Sequence, residues 1–102
     1  MNVVRSKVQT VLRIRKAVRV RIHGMSMAPL IKEGDLVEAR TIDREIQVGD
    51  IVLLEHEGHL ICHRVYEMFA DENYRTKGDN NKLPDSIISH RKNILALIDI
   101  ED

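Results

Sequence analysis

Short apolar runs separated by turns constrain this chain more than any other feature of its sequence. Residues 18–23 alternate apolar side chains with arginine or histidine, and this period of two is typical of a β-strand with one face on a core. Gly34-Asp35 and Gly49-Asp50 each precede a further apolar run. Strand-bearing runs are therefore predicted within residues 18–22, 33–39, 48–56, 59–69, 74–81 and 93–100. The pattern predicts a mostly β fold.

The N-terminal segment, residues 1–16, differs from the rest in its charge. Residues 1–32 carry eight Lys or Arg and no Asp or Glu, whereas residues 33–102 carry eight basic and sixteen acidic residues. The apolar side chains predict one helix, because they fall on a single helical face: Val3, Val4, Val8, Val11 and Leu12. The basic residues are interpreted first as the solvated face of that helix. A weak contact with an anionic membrane surface is a second expectation for this segment.

Length and composition set the class of protein. A chain of 102 residues fits one domain, 1–102, with the β core over about 17–100. Aromatic residues make up only 3%, which disfavours an aromatic platform for nucleic acid, and no nucleic-acid partner is expected. No apolar run approaches the ~18 residues that cross a bilayer. A protein without a membrane anchor is therefore predicted. Because Cys62 is the single cysteine and suits a reducing compartment, a cytoplasmic location is predicted as well.

Ser26 is the serine whose setting best suits a nucleophile, although its local pattern taken alone favours an ordinary turn serine. It follows a predicted strand and stands two residues after Gly24, whereas Ser86 and Ser89 lack this setting. A glycine at this position lets a substrate backbone approach closely, and a nearby backbone N–H can stabilise an oxyanion. A serine hydroxyl needs a base, and His63, inside the strand-like run 59–69, is the candidate that faces the interior or a cleft.

A zinc site is the alternative interpretation of the histidine-rich segment "HEGHLICH". Its candidate ligands are His56, His59, Cys62 and His63. The metalloprotease signature needs two histidines four apart on a helix, but here they are three apart across a glycine. Cys62 and His63 are adjacent, so they point to opposite faces of a strand. The zinc interpretation is ranked below the serine one, and no metal or cofactor is predicted.

Four blocks of the chain carry a family resemblance, in order and spacing. They are "GMSMAPLIKEGDLV" (24–37), "GDIVLLE" (49–55), "ICHRV" (61–65) and "TKGDNNKLPD" (76–85). Within a match over about residues 18–98, these blocks resemble the signal peptidase I superfamily, which also contains self-cleaving repressors. The resemblance implies a small signal-peptidase-like β fold of coiled antiparallel sheets. The histidine in "CHRV" resembles the Ser/His type of the endoplasmic reticulum rather than the Ser/Lys type.

The same resemblance implies roles for individual residues. Ser26 corresponds to the nucleophile, His63 to the general base and Asp85 to the carboxylate that orients it, with Asp79 as a second candidate for that carboxylate. Lys77 is the competing base, because other members use lysine. The residues next to the nucleophile complete the implied site: backbone N–H groups of Met25 and Ser26 for the oxyanion, and Met25, Met27 and Pro29 as walls of a peptide cleft.

The chain also departs from the family pattern. No transmembrane anchor is expected, and Gly24 stands where bacterial members often place a serine that supports the oxyanion. The chain leaves no room for a repressor's DNA-binding domain and contains no Ala-Gly self-cleavage pair. The predicted function is a soluble serine endopeptidase that cuts an extended peptide after a small residue. The alternative is a catalytically silent peptide-binding module of the same fold, and the oligomeric state is left open.

Overall fold

In the described part of the chain, seven antiparallel strands form one sheet in the order β1-β2-β7-β3-β4-β5-β6. The computed structural model describes residues 3–100, and for residues 3, 4 and 6 it describes the backbone alone. The strands are β1 Ala17–Arg21, β2 Leu36–Arg40, β3 Ile51–His56, β4 His59–Phe69, β5 Asn73–Lys77, β6 Ser89–His90 and β7 Ile94–Asp99. A 3-10 turn over Arg91–Asn93 precedes β7. The predicted mostly β fold is confirmed, and β6 is an addition that the sequence pattern did not predict.

The N-terminal helix α1, Val3–Arg15, lies against β1, β4 and β7. Leu12 is buried in the core and Val8 packs against the same cluster, so this part of the predicted apolar face is used inside the protein. The predictions for the side chains of Val3 and Val4 lie outside the described residues. Lys16 ends the helix with a φ of 68°, in the left-handed region, and its carbonyl accepts the N–H of Thr41 at 2.9 Å. No described helix is long and apolar enough to span a membrane.

The core consists of two clusters of buried side chains. One joins α1 and β1 to the middle of the sheet through residues such as Leu12, Met27 and Leu53. The other includes Val52, Val65 and further residues of β5 and β7. The β4–β5 pairing shifts its register between Val65 and Glu67, which marks a β-bulge. This pairing decides which residues of β5 lie beside the "CHRV" block.

Candidate active site

The Ser26 loop begins where β1 leaves regular pairing. After Arg21, the N–H of Ile22 still donates to Asp35 O at 2.8 Å, and Gly34 N–H donates to Ile22 O at 2.8 Å. Gly24 then adopts a φ of 89°, in the left-handed region that glycine enters at little cost. Its N–H donates to the carboxylate of Glu33. The regular pairing that continues β1 therefore ends just before Ser26.

The two methionines beside Ser26 lie in opposite environments. Met27 is 1% exposed and belongs to the core, whereas Met25 is 52% exposed. Pro29 is also exposed. Met25 and Pro29 can therefore present side chains to a bound molecule, but Met27 cannot line an open cleft as the resemblance implied. Because Met27 fills the core directly after the serine, it anchors the loop instead.

A chain of hydrogen bonds connects Ser26, His63 and Asp85. His63 Nε2 lies 3.1 Å from Ser26 Oγ, and His63 Nδ1 lies 2.7 Å from Asp85 Oδ2. The His63 and Asp85 side chains are 12% and 18% exposed, so bulk water screens this contact little. With its proton on Nδ1, the imidazole donates to Asp85 and accepts from the serine hydroxyl. The structure thus brings together the three residues that the resemblance selects.

Thr76 is a member of this site that the sequence analysis missed. Its hydroxyl donates to Asp85 Oδ2 at 2.6 Å, and its carbonyl accepts the Asp85 N–H at 2.8 Å. Arg75 donates to the carbonyl of Asp85 at 2.9 Å, so both the backbone and the side chain of Asp85 are held. Thr76 pairs with Val65 on β4, two residues from His63. The signal in the sequence is the alternation along β5. Thr76 follows Tyr74 by two positions, so the two side chains share a face of the strand, and both are buried.

Asp79, the second candidate for the orienting carboxylate, is paired with Arg64. Arg64 Nε donates to Asp79 Oδ1 and Nη2 donates to Oδ2, both at 2.9 Å. The hydrogen bond from Arg64 holds the pKa of Asp79 below its ordinary value, and the same bond raises the pKa of Arg64. The described contacts of the His63 ring nitrogens go to Asp85 and Ser26. Asp85 therefore has the geometry of an orienting group, and Asp79 does not.

The backbone around Ser26 offers free donors. Within residues 3–100, the N–H groups of Met25 and Ser26 make no hydrogen bond, whereas the neighbouring N–H of Gly24 is engaged by Glu33. Met25 O accepts the N–H of Ala28 at 3.1 Å, which closes the turn around the serine. Preorganised N–H groups of this kind stabilise a negative charge that develops on oxygen.

A cleft of about 450 Å³ opens beside the serine. Residues 20–23 of β1 and its extension form one side, residues 60–63 of β4 form the other, and Leu53 and Ser26 complete the lining. β1 is an edge strand of the sheet. An edge strand has unpaired backbone groups, so the cleft can bind an extended peptide by adding a strand.

Cys62 lies in this cleft next to His63 but has the properties of an inert thiol. Burial raises its pKa to about 12, and the charge of Asp79 adds to the shift. Near neutral pH the thiol therefore keeps its proton, and the thiolate is the reactive form of cysteine. Ser26 is the better nucleophile candidate of the two.

The residues weighed as zinc ligands do not converge. His56 and His59 face each other across the β3–β4 hairpin, Cys62 is buried opposite Leu53, and His63 is bonded to Ser26 and Asp85. No group of three or more His, Cys, Asp or Glu side chains with metal-binding geometry occurs in the described part of the chain.

Lys77, the competing base, contacts a different group. Its Nζ lies 3.4 Å from Gly78 O, and it lines a smaller cavity with Tyr66 and Asp79. The described contacts of Lys77 do not include the hydroxyl of Ser26. The geometry therefore favours histidine over lysine as the proton acceptor.

Two comparisons with known proteins indicate the family of this chain. Over 66 residues, the chain is 38% identical to the signal peptidase complex catalytic subunit sec11 of Dictyostelium discoideum. The match covers 59% of this chain and 37% of that protein, so it spans less than half of the relative's length. The Peptidase S24-like family model matches residues 4–98. These findings support a peptidase-type function, and the chain belongs to the Peptidase S24-like family.

Proposed function

We propose that this protein is a serine endopeptidase with Ser26 as nucleophile, His63 as general base and Asp85 as the group that orients the base. The observation that carries the proposal is the continuous chain of hydrogen bonds from Asp85 Oδ2 to Ser26 Oγ, at 2.7 and 3.1 Å. The peptidase family match supports the same reaction class.

The reaction starts with proton transfer from the serine hydroxyl to His63 Nε2 as Ser26 Oγ attacks a peptide carbonyl carbon. Asp85 accepts the Nδ1–H, which selects the tautomer that leaves Nε2 unprotonated, and it stabilises the imidazolium that forms. The backbone N–H groups of Met25 and Ser26 are the donors proposed for the oxyanion. His63 then gives its proton to the leaving amine, and a water molecule activated by the same imidazole hydrolyses the acyl-enzyme.

The substrate proposed for this site is an extended peptide along the edge of β1. Its backbone would pair with residues 20–23, and its side chains would enter the cleft between β1 and β4. Apolar side chains such as Val20, Leu53 and Leu60 line that cleft, which favours apolar groups. Cleavage after a small residue agrees with the family resemblance.

Labelling with a fluorophosphonate probe tests the proposal without a known substrate, because the probe reacts with activated serines. The expected result is one adduct, located on Ser26 by mass spectrometry of peptides, and no adduct in Ser26→Ala. A peptide library presented to the same two proteins should yield cleavage products with the unsubstituted protein alone. Peptides that bind both proteins equally and are never cut would support the silent peptide-binding module instead.

A further inference from the structure

The Arg64–Asp79 ion pair joins the strand that carries the base to the turn over residues 78–81. Arg64 follows His63 on β4, and two of its nitrogens bind the two oxygens of Asp79 at 2.9 Å each. Its third nitrogen donates to Gly49 O at 2.8 Å, so the guanidinium is held on two sides. A bidentate pair of this kind fixes orientation as well as distance.

The turn held by this pair contacts the nucleophile and the loop residues on both sides of it. Asn80 donates its N–H to Ser26 O at 2.8 Å and its side-chain amide to Met25 O at 3.1 Å. Gly78 packs so closely that an added Cβ would lie 2.7 Å from Ser26 O. The N–H of Asp79 lies 3.3 Å from the sulfur of Met27. Three consecutive residues of the turn therefore contact the three consecutive residues 25–27.

These contacts matter because Ser26 and His63 belong to different parts of the fold. His63 is fixed within a strand that pairs on both sides, whereas Ser26 lies in an irregular loop. The 3.1 Å separation of Ser26 Oγ and His63 Nε2 depends on how that loop is held against β4. A misplacement of about 1 Å can slow an enzymatic reaction by ~10²-fold.

We infer that Arg64, Asp79 and Asn80 are positioning residues, which fix the Ser26 backbone relative to His63 and take no part in proton transfer. The inference rests on the proposed function, in which His63 accepts the proton of Ser26. The inference gives Asp79 a role different from that of Asp85, which orients His63, although both carboxylates lie in the same block of sequence.

The Arg64–Asp79 ion pair does not break near neutral pH. Arg64 lowers the folded-state pKa of Asp79, so the stabilisation is fully present above the ordinary aspartate pKa. It is lost as the pH falls through the lowered value. The pair therefore stays intact around neutral pH and should not shape the pH profile of the reaction there.

The rate of fluorophosphonate labelling at Ser26, followed against pH, tests the inference. Asp79→Asn should slow labelling by ~10²-fold while leaving the midpoint of the pH profile unchanged. Arg64→Lys should be intermediate, since lysine keeps the charge but not the bidentate geometry. The double exchange of Arg64→Asp with Asp79→Arg should recover part of the loss.

A matched control is available in the Arg44–Asp50 pair. It is also bidentate, at 2.8 and 3.0 Å, and Arg44 likewise lowers the pKa of its carboxylate partner. Asp50→Asn should therefore lower the free energy of unfolding by a similar amount. The rate of Ser26 labelling in this variant should equal that of the unsubstituted protein. Should Asp79→Asn fail to fold, Asn80→Ala replaces it, because that variant keeps the ion pair and loses the side-chain bond to Met25 O. A several-fold slower labelling is expected for Asn80→Ala.

Amide hydrogen exchange separates failure of the inference from failure of the proposed function. In Asp79→Asn, the backbone amides at positions 28 and 80 should exchange faster, whether or not Ser26 is reactive. The same is expected in Asn80→Ala where that variant replaces it. If the probe labels no serine in the unsubstituted protein, the proposed function fails. The exchange rates alone then test whether Arg64, Asp79 and Asn80 position the Ser26 backbone. Unchanged exchange, unchanged labelling, or a shifted pH midpoint in a folded variant would overturn the inference, the last because it would make Asp79 act on His63.

Discussion

The cleft around Ser26 and the basic face of α1 and β1 are both polar, but they are built differently. Around the cleft, the side chains of His63, Asp85 and Arg64 each bind another side chain at 2.7–3.1 Å. The basic face consists of exposed cations: Lys7, Arg13, Arg15, Lys16 and Arg19. In the described part of the chain, none of these five side chains has an ion pair or a hydrogen bond. Ile14, 74% exposed, lies among them.

This difference shows in which region the chain itself fixes the positions of the side chains. The geometry of the cleft is set by contacts between β4, β5 and the Ser26 loop, which are partly buried and weakly screened by salt. The basic face has no such contacts within residues 3–100, and salt would weaken any attraction between it and an anionic partner. Substitutions in the cleft should therefore have large effects on activity, and substitutions on the basic face small ones.

Replacing Ser26 by alanine should have the largest effect. The hydroxyl is the proposed attacking group, and loss of a nucleophile in serine peptidases lowers kcat by about 10⁶-fold. Peptide cleavage should become undetectable while the melting temperature stays within a few degrees. Hydrolysis by Ser26→Ala at the unsubstituted rate would remove this serine from the mechanism.

Replacing Asp85 by asparagine should come next, with a loss of up to ~10⁴-fold. The asparagine amide can no longer select the tautomer with the proton on His63 Nδ1. Asp99→Asn is the control, because it removes a carboxylate that binds Arg40 at 2.8 Å on strands β2 and β7. A peptide-cleavage assay in which both variants behave alike would contradict a catalytic part for Asp85.

Replacing Thr76 by valine should lower activity about fivefold, since one hydrogen bond contributes about 1 kcal/mol. The hydroxyl of Thr76 helps to hold the Asp85 carboxylate at 2.6 Å. Thr41→Val is matched to it, because that hydroxyl also makes one bond, to Lys16 O at 3.1 Å, outside the cleft. Equal kcat values for the two variants would mean that Asp85 is held well enough without Thr76.

The smallest effect is expected on the basic face. Weak binding to anionic vesicles is predicted, at about 1 kcal/mol for each Lys or Arg near the surface, and it should vanish in high salt. Arg13→Glu with Lys16→Glu should reduce the co-sedimented fraction and leave peptide cleavage unchanged, while Lys82→Glu should change neither the co-sedimented fraction nor peptide cleavage. Equal partitioning into neutral and anionic vesicles at low salt would contradict the prediction.

The sequence predicted the regular parts of the fold better than the site. The run 59–69 coincides with β4, His59–Phe69, because strand alternation is a local property that short sequence windows contain. The loop after β1 has no period, so nothing local indicates that Met27 is buried and Met25 exposed. The local settings of Ser26 and His63 made them candidates, but Asp85 and the roles of all three residues came from the family resemblance.

The partners of these residues were beyond local patterns as well. Thr76 binds a carboxylate nine positions away, and Arg64 binds Asp79 across fifteen. Both contacts depend on the register between β4 and β5, including its bulge. A register shift of one residue would turn Thr76 to the other face of the sheet, so composition alone cannot predict these contacts.

The pH dependence of Ser26 labelling in three proteins tests the central claim most directly: the unsubstituted chain, His63→Ala and Lys77→Ala. If His63 is the base, labelling of the unsubstituted chain should rise from acidic to neutral pH as the imidazole loses its proton. His63→Ala should lose most of the rate and this pH dependence, whereas Lys77→Ala should retain both. Near-normal labelling in His63→Ala together with loss of labelling in Lys77→Ala would contradict the Ser26–His63 assignment.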